Sequence, residues 1–227
     1  MGVQLQLARH QIADLKRIID LGPQRLAAVQ AKLAAISPPP LDPKGLLGAI
    51  RATVPEEYAE PLVRQLLSLR GVVRQSGESV VDVLAAVGNS LAAEIGDCTV
   101  DMKGWKVVEA GLKTLIDLEC VRLAATAIEL SYDYANLLQR TKILTDIRPL
   151  YDDSAKNIEG AVVSFTLRLR YSNANGEHDL SIALDERDII GLSMDCDRAL
   201  QKAKTARALM EKSSTVPVII SGEVPDA

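Results

Sequence analysis

The sequence predicts an α+β, mainly α protein, in which an N-terminal helical bundle is followed by a small three-stranded antiparallel sheet with a C-terminal helix. Two observations lead to this prediction. Apolar residues recur at steps of three and four through residues 1–140, which is helical spacing, and at steps of two over much of residues 143–184. Aromatic residues make up only 3% of the chain, so the core must be aliphatic and alanine-rich, which suits closely packed helices.

A helical hairpin is predicted at the start of the chain. Gly22-Pro23 breaks a helical pattern that restarts at Leu26. The following segment SPPPLDP, residues 37–43, cannot continue a helix, because proline lacks the amide hydrogen and restricts the residue before it. Whether this segment divides the helical region into two subdomains or links neighbouring helices stays open. The apolar face of the first helix carries Leu5, Ala8, Ile12, Leu15 and Ile19.

Three more helices are predicted before residue 140. Pro55-Glu56-Glu57 has proline at an early helical position and acids near the positive end of the helix dipole, which marks a helix start. A second helix is predicted from Glu78 to Ile95. The most regular pattern runs from Trp105 to Leu138, and its wide apolar surface predicts one long central helix with Cys120 in the core.

The hydrophobic period becomes two after residue 140. Val163, Phe165, Leu167 and Leu169 point to one side of a predicted strand, and Arg168 and Arg170 point to the other. The tetrapeptide NANG, residues 173–176, tolerates positive φ and predicts a reversal into a second strand. Residues 143–151 are predicted to form a further strand, which Pro149 restricts to an edge or an end.

Helical spacing returns in residues 189–210, with Asp185 or Asp188 predicted to cap the helix. The predicted domains are therefore residues 1–140, all helical, residues 141–213, with the order β-β-β-α, and a tail at 214–227. One helix covers only one face of such a sheet, so the bundle, a second copy or another partner must cover the rest. The residues predicted to be buried in the domain or a dimer are Val163, Phe165, Leu167, Leu169, Ile189, Leu192 and Cys196.

No catalytic, cofactor-binding or metal-binding motif is found. His10 is predicted to be solvated and His178 to lie in a turn or at a strand edge, and neither belongs to an HExxH motif. Cys98 is the one plausible exposed thiol, and a catalytic role for it is not favoured. The acidic pairs Asp195/Asp197 and Asp152-Asp153 are interpreted as a helix surface and a turn, respectively. Gly71 and Gly77 lack the lysine of a phosphate-binding loop.

Charge and cysteine content restrict the partners. A net charge of −4 disfavours nucleic-acid binding, which depends on neutralising phosphates. Three widely spaced cysteines suit a reducing compartment, and no apolar run approaches the ~20 residues of a membrane span, so a cytoplasmic location is predicted. Arg64, Arg70 and Arg74 are candidate contacts for an anion.

The C-terminal pattern resembles the COMM-domain proteins, which are cytoplasmic subunits of assemblies in endosomal trafficking. The similar segments are DIRPLY, VVSFTLRLRY, HDLSIAL and LDERDIIGLSMDCDRALQKAK. The family's frequent first-strand tryptophan is absent, and Leu150 and Tyr151 stand near its place. The resemblance implies dimerisation through the β-β-β-α unit and no catalysis.

We therefore expect a non-enzymatic adaptor without cofactors, which forms a homodimer or a heterodimer with a related chain and joins other protein subunits. The alternative is a regulatory protein whose helical domain binds a small ligand or an anionic lipid.

Overall fold

The structure is a computed structural model that describes residues 5–93, 100–214 and 216–222. These residues form seven helices and three strands, which confirms the predicted α+β, mainly α class. The chain divides into a helical unit, residues 1–131 with 213–227, and a sheet unit, residues 132–212. The helices before the sheet are α1 (Arg9–Ala34), α2 (Pro43–Ile50), α3 (Glu56–Ser76), α4 (Val80–Ala93), α5 (Met102–Ile116) and α6 (Glu119–Tyr132).

The predicted break at Gly22-Pro23 is confirmed, but the structure has a kink within α1 where the sequence predicted the turn of a helical hairpin. Gly22 has φ 79° and ψ 165°, a conformation open to glycine, and Pro23 begins the second half of the helix. The predicted helix start at Pro55 is also confirmed, since α3 begins at Glu56. Helix α2 was not predicted. It begins at Pro43, directly after Asp42, whose carboxylate accepts a hydrogen bond from the Gly45 amide.

The prediction of one helix from Trp105 to Leu138 is wrong. Helix α5 ends at Ile116, α6 runs from Glu119 to Tyr132, and the first strand already begins at Leu137. Apolar residues still recur at steps of three and four across this break, because the end of α5 and the start of α6 face the same core. Ile116 and Cys120 are both buried in that core. The sheet unit consequently begins at residue 132 and not at residue 141.

One hydrophobic core fills the helical unit. Helix α1 packs against α5 and α3, and α4 packs against α5. The largest side chains of this core, including Leu26 and Trp105, are fully buried. Gly88 of α4 allows this packing, because a Cβ atom at that position would lie 2.8 Å from Nε1 of Trp105. Apolar burial on this scale is the main stabilising contribution to a folded unit.

The sheet unit contains β1 (Leu137–Tyr151), β2 (Ile158–Asn173) and β3 (Gly176–Leu184), followed by α7 (Glu186–Ser213). The strands are antiparallel in the order β1-β2-β3, so the predicted edge strand with Pro149 is confirmed as β1. The predicted turn is also confirmed, with Gly176 at φ 111°. Asp185 and Asp188 each accept a hydrogen bond from the other's amide at 2.9 Å, which caps α7 as predicted.

Candidate interaction surface

The sheet has one face that is almost entirely apolar. The register sets Ile143 of β1 opposite Leu167 of β2, which in turn lies opposite Ile182 of β3. Side chains at every second position of a strand share a face, so the neighbouring rows extend the same surface. We call this surface the apolar face. It comprises Ile143, Ile147, Val163, Phe165, Leu167, Leu169, Leu180, Ile182 and Leu184.

The apolar face is open. Ile147 is 71% exposed, Val163 54% and Ile182 41%, and none of the described residues of the three strands is buried. Exposed apolar area is unfavourable by about 25 cal/mol per Å² relative to burial. Contiguous patches of this kind in soluble proteins mark interaction sites or sites of aggregation.

Helix α7 carries a second open apolar surface. Among the described residues, it makes no extended packing against the strands of its own unit, and none of its residues is buried. Leu192 is 42% exposed, Cys196 is exposed, and Ile189 is half-buried. We call the row at steps of three and four the α7 seam: Ile189, Leu192, Cys196, Ala199, Ala203, Ala206 and Met210.

The seven residues predicted to be buried are therefore not buried within the chain. The structure brings the four strand residues, Val163, Phe165, Leu167 and Leu169, onto one face of β2 and the three helix residues onto one seam. Their burial in a dimer stays a prediction.

The two histidines lie where the sequence predicted. His10 is exposed. His178 lies on edge strand β3, where its ring stacks on Tyr171 of β2 with centroids 5.4 Å apart. Its Nε2 atom is 3.0 Å from Oδ1 of Asn173 in the adjoining turn. These contacts give His178 a role in holding the hairpin.

The three arginines proposed as anion contacts all face carboxylates. Arg70 Nη1 lies 3.2 Å from Asp117, and Arg74 Nε lies 3.0 Å from Glu129. Arg64 binds Asp14 through two nitrogens, at 2.8 and 2.9 Å. The structure therefore pairs these guanidinium groups across the helical unit and does not gather them around one site.

Asp14 is the most enclosed of these carboxylates. Gln65, which is also buried, donates a third hydrogen bond to it at 3.0 Å. Burial raises the pKa of Asp14, but hydrogen bonds from Arg64 and Gln65 and the nearby positive charges outweigh this effect, so the pKa lies below its ordinary value of 3.8. Asp14 is a buried, satisfied anion that joins α1 to α3.

An apolar groove of about 370 Å³ lies between α2 and α3. Leu47, Val63 and Leu67 supply apolar walls, while Lys44, Glu60 and Arg64 supply polar groups. A groove of this volume and lining suits a small ligand.

The remaining candidate groups have local structural roles. Asp152 lies in the turn between β1 and β2, as predicted, where hydrogen bonds from Asn157, Lys156 and Ser154 lower its pKa to about 2. Asp195 and Asp197 are exposed on α7.

The two glycines of the phosphate-loop candidate belong to one helix. Gly71 lies inside α3, and Gly77 ends that helix with φ 72°. Cys98 lies outside the described residues, whereas Cys120 is buried in the core as predicted.

A basic cluster on the opposite face of the sheet was only half predicted. The alternation in β2 placed Arg168 and Arg170 on one side. Because the long helix was expected to reach Leu138, Arg140 and Lys142 were not recognised as their neighbours. The two cations at alternate positions in QRTK, residues 139–142, were the available signal.

Within the described ranges, no three metal-ligating side chains gather into a cluster, and no helix there is long and apolar enough to cross a membrane. No family model matches the chain, and no curated protein matches it.

Proposed function

We propose that the protein is a non-enzymatic assembly subunit that dimerises through its sheet unit. The observation that carries this proposal is the exposure of the apolar face and of the α7 seam in the same chain. A stable monomer with two such surfaces would be prone to aggregation, because large apolar patches associate in water.

A second copy is the occupant that suits both surfaces. In a twofold dimer, the α7 seam of each protomer can lie across the apolar face of the other, so that one contact repeated twice covers both surfaces. The dimensions agree. Helix α7 has 28 residues, or about 42 Å at 1.5 Å per residue, and β2 has 16 residues, or about 53 Å.

The resemblance to COMM-domain proteins supports the same proposal. The order β-β-β-α after a helical region is the pattern that suggests this family, and the family implies dimerisation without catalysis. We extend the proposal to either a homodimer or a heterodimer with a related chain. The helical unit would then present a surface to further protein subunits, in the cytoplasm, as the unpaired cysteine pattern favours.

Sedimentation equilibrium of the full chain at low micromolar concentration tests this proposal. The monomer mass is 24.5 kDa, and we expect twice this mass. Ile182→Glu introduces a charge on the apolar face and should return the mass to that of the monomer, because a buried unpaired charge opposes association.

The matched control is Ala183→Glu. Ala183 is adjacent to Ile182 on β3 but lies on the opposite face, and both are exposed. We expect this variant to remain a dimer. A monodisperse monomer for the unmodified chain alone would refute the homodimer, and equal dissociation by both variants would refute dimerisation through the apolar face. If the chain dimerises only with a related chain, an equimolar mixture should give the heterodimer mass.

The groove between α2 and α3 favours a second function, the binding of a small, mainly apolar molecule. A thermal-shift screen tests it, since a ligand that binds only the folded state raises the melting temperature. A matched Leu47→Trp variant, which fills the groove, should abolish the shift, and no shift across a broad panel would count against this function.

A further inference from the structure

Four cations occupy adjacent positions on the sheet face opposite the apolar face. Arg140 of β1 lies opposite Arg170 of β2, and Lys142 lies opposite Arg168. Each pair is two residues from the other along both strands, so all four side chains share one side of the sheet. We call these four residues the cationic face.

This arrangement is unfavourable in the free protein. Like charges directly opposite each other destabilise an antiparallel pair, and here two such pairs are adjacent. Arg170 forms an ion pair with Asp179, whose Oδ1 atom is 3.1 Å from Arg170 Nε. The other three cations have no ion pair with any described residue. Asp179 is the carboxylate that pairs with these cations, and Glu177 adds a second negative charge near Arg170, so the four cations keep an excess of two positive charges in a chain whose net charge is −4.

The cationic face encloses a depression of about 390 Å³. The four cations line it together with Asp179, Leu180 and Ser181 of β3. This volume falls in the range of small-molecule sites, roughly 300–1,000 Å³. The ion pair with Asp179 uses Nε of Arg170, so the two terminal nitrogens of that guanidinium keep N–H groups for other acceptors.

We propose that the cationic face binds a small ligand that carries two or more phosphate groups. Guanidinium groups match the geometry of phosphate oxygens and donate paired hydrogen bonds to them, and three of the four cations are arginines. Two phosphates would each lie between the members of one cross-strand pair and replace its repulsion with two attractions. Ser181 adds a hydroxyl donor beside Arg168, in the row that also contains Lys142.

The small extent of the depression favours a small phosphorylated ligand over larger polyanions such as nucleic acids. A duplex or an extended RNA strand needs a basic surface that continues over many phosphates, whereas the charges here are confined to two adjacent rows. The site does not depend on the proposed dimer, because the two faces of one sheet are covered independently.

Isothermal titration calorimetry of the full chain at physiological salt tests the proposal, with sodium tripolyphosphate as the probe and orthophosphate for comparison. We expect saturable binding of one tripolyphosphate per chain, at least about tenfold tighter than orthophosphate, because two or more charge-assisted contacts act together. Binding should weaken as salt is added.

The decisive variant is Lys142→Glu. It places a carboxylate opposite Arg168, so we expect at least about tenfold weaker binding together with an equal or higher melting temperature. Loss of binding through misfolding would instead lower the melting temperature. The charge-matched control is Lys202→Glu on exposed α7, which should bind tripolyphosphate as the unmodified chain does.

A co-sedimentation experiment distinguishes the two sources of such phosphates. Phosphatidylcholine vesicles with and without phosphatidylinositol bisphosphate are compared. Binding only to the phosphorylated vesicles, lost in Lys142→Glu, supports the site with a lipid headgroup as ligand, and calorimetric binding without vesicle binding supports it with a soluble ligand. The proposal is overturned if tripolyphosphate does not saturate the chain, if Lys142→Glu binds it unchanged, or if an acidic peptide or RNA binds more tightly.

Discussion

The helical unit and the sheet unit use similar aliphatic side chains but differ in how completely they bury them. In the helical unit, Leu15, Leu26 and Leu112 are all fully buried. In the sheet unit, equally apolar residues such as Ile147 and Val163 are more than half exposed. Apolar content therefore does not predict burial within one chain. A layer of structure needs a second layer. Helices α1 to α5 and the start of α6 supply one another with that cover, whereas α7 has no extended packing against the sheet among the described residues.

The difference also assigns different roles to the two units. The helical unit has the properties of an independently folded body with a continuous core. The sheet unit presents two unsatisfied surfaces, and its stability is then tied to what covers them, because binding that favours the folded state adds to its stability.

The largest expected difference concerns truncated leucines. Leu26→Ala should lower the free energy of unfolding of the helical unit by about 2–5 kcal/mol, since it leaves a cavity in a closed core. Leu180→Ala, at a position 45% exposed, should change stability by less than about 1 kcal/mol in dilute solution, where little apolar contact is lost. Urea unfolding followed by circular dichroism measures both. Equal effects would show that the sheet unit is closed in solution even when dilute.

A polar group inside the helical unit provides the second test. Asp14→Ala should lower the free energy of unfolding by about 2–3 kcal/mol, because Arg64 loses its ion-pair partner and Gln65 loses its hydrogen-bond acceptor. The effect should be smaller than the loss of a fully buried ion pair, because the side chain of Arg64 is 48% exposed. Since the folded pKa of Asp14 is depressed, its stabilising contribution is complete above the ordinary value of 3.8 and is lost as the pH falls through the lower folded value.

Unfolding measured from pH 7 to pH 2 checks this prediction. The stability difference between the unmodified chain and Asp14→Ala should shrink in the acid range. A constant difference would mean that the carboxylate charge does not contribute. Asp179→Asn in the sheet unit is the exposed counterpart. We expect only a small decrease in melting temperature from it, because its ion pair with Arg170 is solvent-exposed.

The smallest expected effects come from two helical glycines. Gly88→Ala should destabilise the helical unit by about 1–2 kcal/mol, because its new Cβ meets the ring of Trp105. Gly71→Ala in α3 has no atom within 4 Å of the new Cβ and should stabilise by about 0.5–1 kcal/mol. Trp105 is the single tryptophan, so unfolding followed by its fluorescence measures the stability of both variants. Stabilisation by Gly88→Ala would show that the contact between α4 and α5 is looser than described.

Local patterns were sufficient for most of the fold. The positions of proline and glycine correctly predicted the break at Gly22 and the hairpin turn at Gly176. Proline restricts the backbone conformation and glycine permits positive φ wherever they occur. Alternation in β2 correctly separated an apolar from a polar side. The long helix over residues 105–138 was the main error, since apolar spacing reports which residues face a core and not whether the backbone is continuous between them.

The candidate sites depended more on long-range pairing. Arg168 and Arg170 could be placed together from their own strand, but Arg140 and Lys142 join them only through the register of β1 on β2. Likewise, Arg64 and Asp14 are far apart in sequence, so their ion pair could not be predicted from the sequence. This pair occupies the Arg64 guanidinium, which the sequence analysis had proposed as an anion contact. Backbone preferences act over a few residues, so neighbouring side chains determine them and the sequence reveals them. Strand register and side-chain partners arise from packing between segments that are distant in sequence, so only the tertiary structure determines them.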